Sequence, residues 1–454
     1  MNDESNEWLK FFIMRPLIIV GGGVAGLTLA RSLTLRGVPT RVLEASRTRR
    51  VDRGLGIWGR AQVALRKLGL GSTLDTELRI PAAAYRDLRG RWLSRSTDTH
   101  ANNSRVVALR ESALLRALLD GLPLESESGE VVELHQSVEG VTLKLATGEI
   151  VEGEIVVGAD GANSAIRRLA FGGDSAAAID TGFVSHGGLL LPPSLESIFP
   201  QRALAFETLS AGRRFAVVPL AGGGGFWFAT RPLAVGSVEE RADARGMASL
   251  RAAYEGWHDP IPTVLHAAAC AAAEASMAQE PAAAPAHSMD AFRAERVLAA
   301  PPSIAGGRWW SGRCVLVGDA AHALPINLAQ GAAASIEGAY LLGEALCAAL
   351  GAGADRRAGK PPLNDGAWQA AFASYQASHE ARVRQCRLAT AFTAALARPT
   401  SPPAEAVRNA MRFVPQPLNG LVFDAALEFS LGDVPASTRA AWPLATAPEL
   451  PPPR

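Results

Sequence analysis

The hydrophobic pattern first becomes regular at Leu17-Ile18-Ile19-Val20, an unbroken apolar run of the kind found in strands buried on both faces. Leu27, Leu29, Ala30 and Leu33 follow at helical spacing, so the chain starts strand, turn, helix. Thr40 to Leu43 predicts a second strand, and Arg60 to Leu68 a helix closed by Gly69. Residues 82 to 95 predict a strand pair turning at Arg89-Gly90, and 106 to 119 a strand running into an amphipathic helix. Alternation over 131 to 157, broken at Glu139-Gly140 and Thr147-Gly148, predicts a β-meander. The meander ends in a second strand, glycine turn and helix, Ile155 to Arg167. Strand-like runs at 182 to 191, 214 to 220 and 225 to 230 predict an antiparallel sheet, and 248 to 256 a helix. Residues 267 to 286 are low in complexity and read as an exposed helix and linker without chemistry. An α/β texture resumes at Arg313 to Asp319, with helices expected over 332 to 350, 367 to 397 and 404 to 431 and a loosely held Pro-rich tail from 434. The fold class expected is α/β: a Rossmann-like domain with a parallel sheet and a β-meander, a domain built on an antiparallel sheet, and C-terminal helices.

Composition narrows the function. The 454 residues suffice for two domains or one elaborated domain. A net charge of +1 leaves no electrostatic footprint for nucleic acid. Cys270, Cys314, Cys347 and Cys386 are widely spaced and form no CxxC or Cys/His cluster, so neither a metal site nor a disulfide framework is expected. The acidic, polar first ten residues do not resemble a signal peptide, and Met14 is an alternative start. No apolar run reaches the roughly 18 residues of a membrane span. Reduced thiols and a cytoplasmic location without an integral membrane segment are the expectation.

The first turn carries Gly21, Gly23 and Gly26 at G-x-G-x-x-G spacing, between a strand and a helix. Gly21 permits the tight turn, Gly23 lets the backbone approach a pyrophosphate, and Gly26 lets helix and strand pack closely. Glu44 ends the next strand close to the distance, roughly 20 residues on, at which a carboxylate accepts a ribose hydroxyl. It would repel a 2′-phosphate. A glycine-rich turn without a ligand is the plainer alternative. At the second turn, Asp160 and Ser164 read as helix caps, and Arg167 as a first-turn surface residue. The basic stretch Arg47, Arg49, Arg50 and Arg53 reads as a solvated loop face.

Three distant stretches together are specific: Gly21 to Gly26 with Glu44, Gly158-Ala159-Asp160-Gly161 with Ser164 and Arg167, and Gly318-Asp319-Ala320-Ala321-His322. Over roughly residues 15 to 430 the chain resembles the single-component FAD-dependent aromatic hydroxylases and epoxidases of the para-hydroxybenzoate hydroxylase type, in the salicylate, urate and zeaxanthin-modifying branch. The resemblance divides the chain into FAD-binding segments 14–80, 101–175 and 301–350, a substrate-domain strand insertion 81–100, a substrate domain 176–300, C-terminal helices 351–433 and a Pro-rich tail 434–454. It implies that Gly21, Gly23, Val24, Ala25, Gly26 and Glu44 hold the ADP half of FAD. Gly56 belongs to the second FAD segment, and Arg110 offsets pyrophosphate charge. Asp160 and Gly161 form a motif tied to FAD and NAD(P)H, and Asp319 bonds the ribityl chain. Ala329, Gly331 and Ala332 would face the flavin pyrimidine edge, where a helix start stabilises negative charge, with Pro325 and Gln330 nearby. Some of the 47 to 53 arginines could reach the adenosine or phosphates.

The implied activity is that of an FAD-dependent monooxygenase. NAD(P)H visits transiently to reduce the flavin, O₂ forms a flavin C4a-hydroperoxide, and one oxygen passes to a small aromatic or olefinic substrate. No catalytic side chain and no metal are required. The resemblance does not name an oligomeric state, the substrate, or NADH over NADPH. Phe226, Trp227 and Phe228 alternate on a strand, so one face is expected to pack core and the other to meet substrate. His322 is expected to be structural rather than a general base; His186 and His258 are expected to be ordinary residues of the substrate domain, the alternative being that they line its pocket. The usual P-x-x-G-Q-G loop reads Pro325-Ile326-Asn327-Leu328-Ala329-Gln330-Gly331, with the proline one residue early and Ala329 replacing glycine. The substitution is mild if Ala329 has a negative φ and costly if φ is positive. Glu337-Gly338 lacks the acid that usually follows, and His379 stands in the Tyr375 to Arg382 signature where arginine is common. Two alternatives remain: a reductase or oxidase acting on a lipid or polyene, and a flavin-binding protein without turnover.

Overall fold

The computed structural model describes residues 15–45, 52–80, 82–95, 106–122, 126–190, 204–233, 244–277, 293–301, 307–351, 364–397, 400–415 and 418. Arg47, Arg49 and Arg50, the part of the 267 to 286 stretch beyond Met277, and the tail from 434 lie outside these residues.

The strand Leu17–Val20 is central to a six-stranded sheet. It pairs in parallel with Thr40–Glu44 on one side and Val156–Gly158 on the other. Ser126–Ser128 extends one edge; Cys314–Leu316, then antiparallel Trp310–Ser311, extend the other. The apolar run is buried on both faces. Ile19 turns toward Gly26 of the helix Val24–Thr34, while Ile18 lies against Gly153 of the meander. The meander is a three-stranded sheet of Val131–Ser137, Gly140–Leu145 and Ile150–Gly153. Helices, parallel sheet and meander are three layers around one core.

The helix Gly331–Leu350 is long and apolar enough to cross a membrane, yet most of it is buried in this core. It lies so close to Val24–Thr34 that a Cβ on Gly343 would stand 2.4 Å from Ser32 Oγ.

A seven-stranded sheet forms the second body, in the order Arg293–Ala299, Ile179–Leu190, Gly225–Pro232, Arg213–Pro219, Leu204–Ser210, Ala82–Arg86 and Trp92–Arg95. Its last two strands are the pair expected around Gly90; the pairing of Leu204–Ser210 with Ala82–Arg86 is parallel, the others antiparallel. Phe215, Val217, Trp227 and Ala229 point to one face and pack on the helices Ala244–Ala253 and Ile261–Met277. The second of these covers part of the low-complexity stretch, and Val264, Leu265, Ala268 and Ala271 are buried. It is therefore a core-packing helix where an exposed one is expected from composition. A small sheet of Gly54–Trp58, Val106–Arg110 and Leu78–Arg79 lies against the opposite face through Phe226.

Candidate active site

The three glycine motifs meet at the C-terminal ends of the parallel strands, where ligands bind in open α/β sheets. Val20 and Ala159 are joined there by an N–H···O bond of 2.8 Å, and Gly158 and Val317 by one of 2.9 Å. Gly21 has φ +113°, and a Cβ on it would fall 2.3 Å from the Ala159 carbonyl oxygen. A Cβ on Gly26 would fall 1.9 Å from the Gly21 carbonyl oxygen. By contrast, a Cβ on Gly23 would meet nothing within 4 Å. Two glycines are thus required by packing, and the one between them leaves backbone open at a helix N-terminus. This cradle fits a pyrophosphate. Glu44 sits beside it, its Oε2 accepting the Gly22 N–H at 2.8 Å.

The third motif closes in from the other side. Gly318, at φ +63°, lies where a Cβ would press on Ala25 at 2.7 Å. Asp319 follows, and its Oδ1 is 3.9 Å from where a Cβ on Gly331 would be. Burial pushes the Asp319 carboxyl above its ordinary range, against the pull of Arg53. The helix at Gly331 begins with Gly331 and Ala332 only partly covered and no acid in its first turn. Its free N–H groups make a positive end facing Asp319.

Asp160 is a cap: Oδ2 accepts the Ile166 N–H at 3.0 Å and Oδ1 accepts the Ser164 hydroxyl, while Ser164 Oγ accepts the Arg167 N–H at 2.9 Å. Burial raises the Asp160 carboxyl. Gly161, at φ +80°, has open space where a Cβ would be. Arg167 corrects the expectation of a surface residue, being fully buried. Its Nε donates to the Ala176 carbonyl at 2.6 Å, Nη1 to Ala320 at 2.8 Å and Nη2 to Ala162. It pins the second motif to the third.

Arg110 is paired within the protein. Its Nε and Nη2 both reach Asp52 Oδ2 at 2.9 Å, and Asp52 also accepts the Ser112 N–H and hydroxyl. No sequence signal marked Asp52. Arg53 pairs with Glu111 at 2.8 Å.

Ala329 has φ +49° and ψ +32°, the left-handed region, so the costly branch of the expectation applies. Its carbonyl accepts the Trp58 indole N–H at 3.3 Å and faces Gly56. The Gln330 side chain turns away into the helices, where Oε1 accepts from Cys386 Sγ at 3.0 Å and Arg382 Nη2 at 3.3 Å. Arg382 also pairs with fully buried Glu337 at 3.3 Å. His322 and His379 lie close by, ring centroids 5.2 Å apart. Burial brings His322 down to about 3 and His379 well below its ordinary value, so both are neutral.

Beside this loop, between the seven-stranded sheet and the helix Asp365–Ala397, lies a mostly apolar cavity of about 310 Å³. Pro325, Ile326 and Asn327 form one wall. Phe183, Thr230 and Val297 come from the sheet, and Thr390 and Ala394 from the helix. The three aromatics on the Gly225–Pro232 strand are elsewhere. Trp227 stacks on Phe215 in the sheet-helix core, centroids 5.6 Å apart, and Phe226 packs on Gly54. Phe228 joins the cluster around Phe226. His186 is buried in its strand, and His258 bonds Thr208 Oγ1 at 2.8 Å; neither lines the cavity.

Comparison with known proteins identifies the family. A family model described as FAD binding domain matches residues 14–358. The chain belongs to the FAD-dependent aromatic hydroxylase family. It is 31% identical over 352 residues to 3-amino-4-hydroxybenzoate 2-monooxygenase PtmB3 of Streptomyces platensis, covering 74% of this chain and 80% of that one. It is 28% identical over 340 residues to aurachin C monooxygenase/isomerase of Stigmatella aurantiaca, covering 73% and 80%. Its fold is similar to Klebsiella pneumoniae HpxO complexed with FAD and uric acid, with a TM-score of 0.70 and 21% identity over 92% of this chain and 98% of that chain. The protein is an FAD-dependent oxidoreductase of the monooxygenase type.

Proposed function

We propose that the protein inserts one atom of O₂ into an aromatic substrate bound in the 310 Å³ cavity, using NAD(P)H as electron donor. One observation carries this reading: the cavity wall Pro325-Ile326-Asn327 leads within a few residues to the helix N-terminus at Gly331. The place that suits a flavin edge and the place that suits a substrate are therefore neighbours.

Gly21, Gly23, Val24, Ala25 and Gly26 would hold the pyrophosphate through backbone N–H groups, and Glu44 a ribose hydroxyl. Asp319 would bond a hydroxyl of the ribityl chain; its carboxyl is buried and raised above its ordinary range, against the pull of Arg53. Gly56, Asp160, Gly161, Ala329, Gly331 and Ala332 complete the proposed cradle. Arg110 would add positive potential while held by Asp52. When bound, FAD supplies the redox chemistry, taking a hydride from NAD(P)H and passing electrons to O₂. The protein orients the ring and excludes water with its apolar wall. The Gly331 helix start favours negative charge at its tip. Four cysteines without a disulfide and the need for NAD(P)H support a cytoplasmic location.

The test is a visible spectrum of the purified protein, followed by NADH and NADPH oxidation with oxygen uptake and product analysis. Bound oxidised flavin and hydroxylated product are expected. Oxygen uptake without oxygenated product from any aromatic that stimulates it would refute the monooxygenase reading in favour of an oxidase.

A further inference from the structure

The helix Asp365–Ala397 turns one stripe to the cavity: Arg387, Thr390, Ala391, Ala394 and Ala397. The spacing i, i+3, i+4, i+7, i+10 is that of a single helical face. Three alanines on it leave room, and Arg387 puts a guanidinium at its start.

Two arginines border the cavity, in different circumstances. Arg214 is 3% exposed and committed within the protein. Its Nε pairs with Glu207, its Nη1 with the Asn327 side chain, and its Nη2 with the Asn327 carbonyl at 2.6 Å. Arg387 is half-buried and has no hydrogen-bonded carboxylate among the described residues. The acid that supports its charge is Glu380, exposed and seven residues back on the same helix. Burial lowers the Arg387 guanidinium from its ordinary value, yet no side chain gives up its positive charge less readily. Among the other groups lining the cavity, the Thr181 hydroxyl donates to the Val297 carbonyl at 2.6 Å, and the Asn327 side chain bridges Arg214 and the Thr390 carbonyl.

A charge at an apolar wall without a partner is unfavourable, and a ligand that brings an anion relieves the penalty. A cavity with one such charge and a small-residue face therefore discriminates by both features at once. We infer that Arg387 is a specificity-determining residue that receives the carboxylate of an aromatic acid, with the ring and its apolar substituents lying along the Ala391 and Ala394 face. This deepens the monooxygenase reading, on which it rests for calling the occupant a substrate. The cation comes from the C-terminal helix, whereas the arginine that the sheet brings to the cavity, Arg214, is already paired with Glu207.

The test uses the FAD-loaded full chain and calorimetric titration with 1-naphthoate and methyl 1-naphthoate, which differ in charge at nearly constant ring area. Wild type should bind the acid at least about tenfold more tightly than the ester, as a charge-assisted pair at a half-buried, mostly apolar site implies. Arg387→Met should lose that preference by weakening the acid about tenfold while leaving the ester within about twofold. Arg387→Lys should recover part of it. Ala394→Phe, which narrows the cavity and keeps the cation, should weaken both probes alike. Flavin absorbance and melting temperature report whether each variant is folded, and Arg387→Lys and Ala394→Phe decide the matter if Arg387→Met is not. Equal binding of acid and ester by wild type, no binding of either, unchanged acid binding in Arg387→Met, or indifference of both probes to Ala394→Phe would overturn the inference. The monooxygenase reading fails separately, if the acid binds as expected and no aromatic acid stimulates NAD(P)H oxidation.

Discussion

Ala329→Gly should stabilise the protein, against the usual direction for a glycine substitution. Ala329 is held at φ +49°, ψ +32°. The left-handed region is unfavourable for an L-residue with a Cβ by roughly 1–2 kcal/mol. Glycine loses more chain freedom on folding, by about 0.5–1 kcal/mol. The difference is a net gain of about 0.5–1 kcal/mol. For a chain of 454 residues, with an unfolding entropy of roughly 2.1 cal/mol/K per residue, that is a rise of only about 0.5–1 °C in melting temperature. The strained conformation is held by two bonds: the Ala329 N–H to the Ile326 carbonyl at 2.9 Å, and the Trp58 indole N–H to the Ala329 carbonyl at 3.3 Å. Trp58→Phe removes the second, a loss of about 1 kcal/mol. Because the loop without that bond relaxes more easily when position 329 is glycine, the two substitutions should couple, with Trp58→Phe less harmful in the Ala329→Gly background. Thermal melts of the four proteins, with and without FAD, measure the cycle. A lower melting temperature for Ala329→Gly would show that the methyl group contributes packing that outweighs the backbone strain, and the argument would fail.

Gly21→Ala should abolish flavin binding and lower stability, since its Cβ would collide with the Ala159 carbonyl. Gly23→Ala should leave the melting temperature of the apoprotein nearly unchanged and weaken FAD retention; an unfolded Gly23→Ala protein would contradict the open cradle. Glu337→Gln leaves Arg382 buried and without its carboxylate partner, and should lower stability in chemical denaturation by about 3 kcal/mol, as for other broken buried pairs. Stability should also fall as pH drops below about 6.5, the ordinary histidine value. His322 and His379 are held neutral in the folded protein while the unfolded chain takes up their protons, so the folded state is penalised progressively down toward the His322 value of about 3. The surrounding cations Arg382 and Arg387 act in the same direction. In melts from pH 7.5 to 5, His322→Gln should flatten this dependence; an equal slope in both proteins would refute it.

The cofactor domain was legible because each of its demands leaves a local mark. A strand buried on both faces needs an apolar run, and a tight turn against a neighbouring carbonyl needs glycine, as at Gly21. Roles that depend on distant partners leave no such mark. Nothing in Ser164-Ala165-Ile166-Arg167 says that the guanidinium will find the Ala320 carbonyl, and nothing near Asp52 says that it will hold Arg110. The antiparallel sheet lies between these cases. Its aromatics announce a strand, but alternation does not say which face meets a helix, and Trp227 and Phe226 both went into packing.

The cavity wall could have been anticipated in part. Arg387 to Ala397 carries helical periodicity in small residues, but a stripe of alanines is also what close helix packing needs. Its meaning depends on what faces it, here a sheet set back far enough to leave space. Arg214 helps hold that spacing. By bonding both the side chain and the carbonyl of Asn327, it ties the sheet to the loop that precedes the Gly331 helix. A residue on the seven-stranded sheet thus positions the loop next to the proposed flavin edge. Substrate-side substitutions at Arg214 should therefore disturb flavin retention as well as substrate binding, whereas substitutions at Arg387, which has no such bond to the loop, should disturb substrate binding alone.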